Sequence, residues 1–184
     1  MVNYRRAPHP GGTYFFTVVT YRRRKMLTLP ESRYYLRQAI EQTRETHPLE
    51  IEAWVLLDDH LHCIWKLPEG CSDFSLRWRL IKQRFTKHTK SLFHKNEWMN
   101  SSREKRREST IWQRRFWEHQ IMDEDDYRHH MDYIHFNPVK HGLVDKVKDW
   151  PYSTFHRYVK MGIYPENWGG GFVENTESSY GEWQ

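Results

Sequence analysis

The sequence predicts an α+β domain, a ferredoxin-like antiparallel sheet laid down in the order β-α-β-β-α-β, with an added C-terminal helix. Residues 13–21, TYFFTVVTY, are β-branched and aromatic throughout. Residues 51–57 and 60–67 are two short apolar segments separated only by Asp58 and Asp59, the pattern of a hairpin. Stretches with apolar residues three and four apart alternate with these strands.

The first strand follows Gly11 and Gly12 and stops at the basic run 22–25. Pro30 and Glu31 open a helix to about Glu45, with Leu36, Ala39, Ile40 and Thr43 at helical spacing. After the hairpin, Pro68 and Gly70 end the second strand. In residues 73–93, Phe74, Trp78, Ile81, Phe85, His88 and Leu92 make one stripe and leave a basic face elsewhere.

Residues 94–110 are polar and aperiodic and read as a mobile loop. Residues 111–122, with Trp112, Phe116 and Trp117, contain a fourth strand, and the acidic run 123–126 starts another helix. That helix is expected to end near Asn137, because Pro138 disfavours an α conformation there. A short helix spans 153–161. Residues 1–161 thus form one domain, followed by a Gly- and aromatic-rich tail, 162–184.

Lys and Arg outnumber Asp and Glu by 29 to 24, a formal charge of +5 that favours polyanionic partners. Two cysteines, Cys63 and Cys71, cannot frame a disulfide scaffold, so a reducing, cytoplasmic location is expected. The basic N-terminus has no apolar stretch behind it, and no run approaches the ~20 apolar residues of a membrane span, so no membrane partner is expected. No Walker loop, Gly-x-Ser-x-Gly elbow or His-Glu-x-x-His motif occurs, which leaves nucleotide hydrolysis, serine esterase and zincin chemistry without support and implies no nucleotide cofactor.

His60 and His62 lie two apart in a predicted strand, so both imidazoles project from one face and can share one ion, while Leu61, Cys63, Trp65 and Leu67 pack on the other. Such a pair also suits surface or core histidines, and a third ligand is needed to distinguish them. Asn137 offers an amide oxygen suited to a hard divalent cation, Mg2+ or Mn2+. Tyr133 precedes it by four residues, placing phenol and amide on one helix face. Read alone, Tyr133 is an ordinary core residue; read with the histidines, it is a nucleophile that a cation would help to attack phosphate.

Three runs, Asp59-His60-Leu61-His62-Cys63-Ile64-Trp65, Ile111-Trp112-Gln113-Arg114-Arg115-Phe116-Trp117-Glu118-His119 and Tyr133-Ile134-His135-Phe136-Asn137-Pro138-Val139-Lys140, resemble the REP-associated tyrosine transposases, single-tyrosine members of the HUH endonuclease superfamily. The likeness extends from about Asn3 to Tyr158, and Asp58 stands where many such proteins carry proline. It implies that His60 and His62 are metal ligands, Tyr133 the nucleophile and Asn137 the further ligand. It also implies cleavage of single-stranded DNA beside REP-like hairpins through a 5′-phosphotyrosine, by a protein that acts as a monomer. The other readings are a hairpin-binding protein that does not cut, and a phosphodiesterase using water.

The basic groups expected to meet DNA are Arg5 and Arg6, then Arg22, Arg23 and Arg24, and on the long helix Arg77, Lys82, Arg84 and Lys87. Aromatic residues interleaved with them could stack unpaired bases. The tail could pack over the sheet or gate a DNA groove.

Overall fold

The computed structural model describes residues 11–169. Arg5, Arg6 and the tail beyond residue 169 lie outside them. Four strands, β1 (Thr13–Val19), β2 (Glu50–Leu56), β3 (His60–Lys66) and β4 (Trp117–Gln120), form one antiparallel sheet in the order β2-β3-β1-β4. With α1 (Pro30–Thr46) after β1 and α2 (Phe74–Phe93) after β3, this is the expected ferredoxin-like arrangement. The added helix is α4 (Glu124–Lys140).

The central strands β1 and β3 are buried on both faces. Tyr14, Phe16 and Val18 of β1 and Leu61, Cys63 and Trp65 of β3 meet the apolar stripes of α1 and α2. Trp65 and Trp78 stack with centroids 4.2 Å apart, and Phe16 packs against Trp65 at 4.9 Å. On the other face Phe15, Val55 and Ile64 meet Met131, Tyr133 and Ile134 of α4. Strand alternation therefore delivers two cores from the same strands.

The Asp58-Asp59 turn is tied down by its carbonyls and side chains. Met26 and Leu27 N–H donate to the Asp58 carbonyl at 2.7 and 2.8 Å, and the Thr28 hydroxyl donates to its carboxylate at 2.6 Å. Asp58 is thus an anchor for the chain leaving β1. That chain opens with a 3-10 turn, Tyr21–Arg23, in which Arg22 and Arg23 have φ of +57° and +48°, a left-handed conformation that side chains rarely adopt.

Three expectations are corrected. Residues 94–110 are not a structureless loop: they hold a 3-10 turn, Asn96–Trp98, and a short helix, α3 (Ser101–Lys105), capped by the Asn100 side chain. Arg103 is buried there with its guanidinium 3.7 Å from the Tyr21 ring centroid. The fourth helix does not stop at Asn137. Pro138 sits in its last turn, and the helix runs on to Lys140, closing at Gly142 with φ +65°, where glycine meets no Cβ penalty.

A third correction concerns the basic face of α2. Arg77 points inward, donating to the carbonyls of Pro48 and Asp73, and the Arg84 guanidinium donates to Thr43 Oγ1 of α1 at 2.6 Å. Lys82 donates to the Gln113 carbonyl at 2.9 Å. Of the four α2 cations expected at DNA, Lys87 is the one left exposed. Periodicity locates a helix face but does not show which neighbouring carbonyls will capture its long side chains.

After α4, residues 152–154 run along the outer edge of β2: Leu56 N–H donates to the Tyr152 carbonyl and Thr154 N–H to the Trp54 carbonyl, each at 2.9 Å. The short helix α5 (Phe155–Lys160) follows, narrower than expected, and Tyr164 and Trp168 pack on Phe155. His135 of α4 is buried behind this segment with its Nε2 3.0 Å from Thr154 Oγ1. No helix among the described residues is long and apolar enough to cross a membrane.

Phe16 is fully buried among Trp65, Phe74, Trp78 and Phe116. Phe16→Ala is expected to cost about 3–5 kcal/mol of stability, read from the urea midpoint. Burial, aided by the charges of Arg157 and His156, pushes the His135 imidazole down to about 3. The unfolded chain takes a proton there at about pH 6.5 and the folded chain does not until about 3, so this stability is full above ~6.5 and falls as pH drops toward 3. The unfolding free energy from urea titrations should fall between pH 7 and 4 by on the order of a few kcal/mol, and by less in His135→Gln.

Candidate active site

His60 and His62 occupy the α4 side of β3, and α4 covers them, so both are almost wholly buried, at 1% and 0% exposure. The histidine face is thus a closed site between sheet and helix. The two rings stand nearly perpendicular, with centroids 4.9 Å apart and an interplanar angle of 82°. Each has its Nδ1 engaged. The ionised Asp59 carboxylate accepts from His60 Nδ1–H at 2.6 Å, and His62 Nδ1 lies 2.8 Å from Thr17 Oγ1 of the neighbouring strand. The carboxylate partner makes Nδ1 the protonated nitrogen of His60, and both contacts hold the ring orientations.

Asp59 is itself held. Arg23 Nε lies 3.0 Å from its second oxygen. Burial pushes the Asp59 carboxyl up, but the hydrogen bond from His60 and the charges of His60, Arg23 and His141 outweigh this and hold it below the usual carboxylate range. The left-handed turn at Arg22 and Arg23 therefore has a function in the fold: it aims a guanidinium at the residue that orients a histidine.

The helix brings the second half of the site. Tyr133, Asn137, Lys140 and His141 fall at i, i+4, i+7 and i+8, one stripe of α4 and its C-cap. At one end of the stripe Tyr133 lies 5.2 Å from His62, and at the other His141 lies 5.0 Å from His60, centroid to centroid. Asn137, fully buried, falls on the same stripe between Tyr133 and His141. Lys140 Nζ donates to Tyr133 Oη at 3.1 Å and sits 4.6 Å from its ring centroid. Phe15 underlies the assembly, 5.5 Å from His62 and 6.0 Å from Tyr133.

All four residues expected to carry the chemistry thus occupy one layer. Asp59, Lys140 and His141 were missed as parts of the site. The last two lie past Pro138, beyond where the helix was expected to end; Asp59 adjoins the histidine motif and could have been suspected from that position alone.

Two imidazoles with committed Nδ1 atoms and an amide oxygen suit a divalent cation. A second group of ligand-type residues converges nearby: His119 of β4 and Asp126 and His130 of α4 have donor atoms within 4.8 Å of one another. His119 Nε2 and His130 Nδ1 lie 2.8 and 2.9 Å from the two oxygens of the Asp126 carboxylate. The rings are stacked at 15° and 4.7 Å, so they aim side by side at one carboxylate instead of converging on a point. This is a hydrogen-bonded hub joining β4 to the first turn of α4. Burial pushes Asp126 up, but the bonds from His119 and Met122 N–H outweigh it and keep the carboxyl below its usual range.

No protein-family model matches the chain. It is, however, 50% identical over 182 residues to the REP-associated tyrosine transposase of Escherichia coli K12, covering 99% of this chain and 98% of that one. The chain belongs to the REP-associated tyrosine transposases. A Haemophilus influenzae protein assigned to the same group is 49% identical over 170 residues, covering 92% of this chain and 94% of its own length. A solved structure of a REP-associated tyrosine transposase bound to a REP hairpin has 49% identity and a TM-score of 0.82, covering 100% of this chain and 99% of the other. The fold read from the sequence is that of this transposase.

Removing the carboxylate that orients His60, in Asp59→Ala, is expected to weaken Mn2+ binding about 10–100-fold by calorimetric titration, with near-native circular dichroism. Arg23→Ala, one link further out, should weaken it less.

Proposed function

We propose that this transposase is a metal-dependent single-stranded DNA endonuclease and strand transferase that cuts beside REP-type hairpins through a 5′-phosphotyrosine, with Tyr133 as nucleophile. The observation that supports it best is the α4 stripe, which sets the Tyr133 phenol against His62 and the His141 ring against His60, with Asn137 between. The REP hairpin bound to a relative of 49% identity supports the same class of DNA as substrate.

His60, His62 and Asn137 would hold the divalent cation, Mg2+ or Mn2+, whose charge neutralises the non-bridging oxygens of the scissile phosphate. Lys140 holds Tyr133 Oη by its hydrogen bond and favours the negative charge that develops there. Oη attacks phosphorus as the phenol proton leaves to solvent. The bond from phosphorus to the 3′ oxygen breaks, and its electron pair departs on that oxygen, which takes up a proton. The enzyme keeps the 5′-phosphate on Tyr133, and a DNA 3′-hydroxyl reverses the step to join a new strand. Bond energy is conserved in the phosphotyrosine, so no nucleotide cofactor is needed.

Every residue of this scheme lies on one chain, which supports a monomer. The two thiols, Cys63 and Cys71, are free, in keeping with the cytoplasm, where chromosomal DNA is met.

Incubating the protein with single-stranded DNA carrying its flanking palindrome and Mg2+ or Mn2+ should give a denaturant-resistant adduct that is lost in Tyr133→Phe. His60→Ala and His62→Ala should lower cleavage by more than about a hundredfold while retaining hairpin binding. An adduct that persists in Tyr133→Phe would move the nucleophile elsewhere. Engagement of about six phosphates predicts a log-log salt slope near −4, measured by anisotropy.

A further inference from the structure

On the face of the sheet opposite Tyr133, a cavity of about 530 Å³ opens between α2 and the segment 106–116. We propose that it takes one unpaired nucleotide of the single strand beside the hairpin, with the base against the aromatic floor and the phosphate at the basic rim. This rests on the DNA-binding part of the function proposed above and adds a second DNA site, remote from the chemistry.

The floor is aromatic. Trp78, Trp112 and Phe116 line it, with Trp78 and Phe116 centroids 6.1 Å apart. Lys82, which burial pushes down to about 7, donates to the Gln113 carbonyl and has its Nζ 5.9 Å from the Trp112 ring and 5.6 Å from Phe116. Rings beside cations are the sequence-tolerant way to hold an unpaired base, and the volume falls within the ~300–1,000 Å³ of small-ligand pockets.

The rim carries an excess of positive charge. Arg79, Arg106, Arg107 and Arg114 line the cavity, against one carboxylate, Glu108. Glu108 already draws three guanidiniums, Arg106 at 2.8 Å, Arg114 at 3.6 Å and Arg103 at 3.8 Å. Arg114 keeps a side-chain exposure of 63% and can turn to a phosphate. Arg107 has φ of +56°, a conformation that persists in a non-glycine residue where its surroundings enforce it and that clusters at ligand sites.

The cavity also communicates with the active site by chain geometry. Phe116 lines it, whereas Trp117, the next residue, turns to the other face and packs edge-on against Phe15 at 5.6 Å, beside His62 and Tyr133. β4 is four residues long and lies at the sheet edge, so a strand leaving the cavity over β4 reaches the catalytic face. A base stacked within a duplex cannot enter such a pocket. The strand flanking the stem can.

The test uses the full-length protein in EDTA with hairpin DNA from the repeats flanking its gene, carrying a single-stranded tail of about eight nucleotides. Anisotropy titrations place an abasic site at each tail position in turn, and 5-iodouracil at each position is photo-crosslinked and mapped by mass spectrometry. One position should crosslink to a peptide containing Trp112 or Phe116. An abasic site there should raise Kd about tenfold in wild type and by less than about threefold in Phe116→Leu and Arg114→Ala. The inference is overturned if tailed hairpins bind but every crosslink falls on α4 or β3, or if the abasic penalty is the same in the variants. If no tailed hairpin binds at all, the DNA reading itself fails, and this inference with it.

Discussion

The double-sided burial of the β1–β3 pair is the constraint on which the rest of this structure depends. Because successive side chains of a strand point to opposite faces, β3 must hand alternate residues to two different neighbours. Leu61, Cys63 and Trp65 go to the core under α1 and α2, and His60 and His62 go to α4. A one-residue slip would bury two imidazoles among tryptophans and turn the core residues to the α4 face. The pairing of all seven β1 residues with β3, from Thr13 with Lys66 to Val19 with His60, prevents this.

On that frame the candidate site is positioned by interactions reaching outward in shells. Phe15 supports His62, Tyr133 and His130 from below, and the Asp126 hub ties β4 to the start of α4, so the helix cannot swing without disturbing the sheet edge. From the other side the chain Arg23, Asp59, His60 fixes one imidazole. Orienting contacts of this kind are how a site keeps its geometry before substrate arrives.

The same economy explains why the basic surface is less uniform than its composition implies. Arg77 and Arg84 bind carbonyl and hydroxyl groups between α1, α2 and the preceding turn, and Arg103 stacks on Tyr21. Arg24 donates to the Phe93 carbonyl and to the Met26 sulfur. Among the cations left toward solvent, Arg79, Arg107 and Arg114 line the cavity beside Trp112 and Phe116.

By itself the sequence determined the fold class, the strand order, the long helices and the residues that could do chemistry, because period-two and helical spacing are local properties and His60, His62, Tyr133 and Asn137 stand on regular elements. It could not show that Lys140 and His141 join the site. A proline in a last turn loses only one hydrogen bond, and whether the helix continues past it depends on packing and on Gly142 as its cap. Nor could it separate the arginines that bind within the protein from those that face outward, or bring Arg23 to Asp59 across 36 residues. Those outcomes belong to tertiary structure, since long polar side chains take whichever partner the folded backbone places within reach, and spacing along the chain carries no record of that.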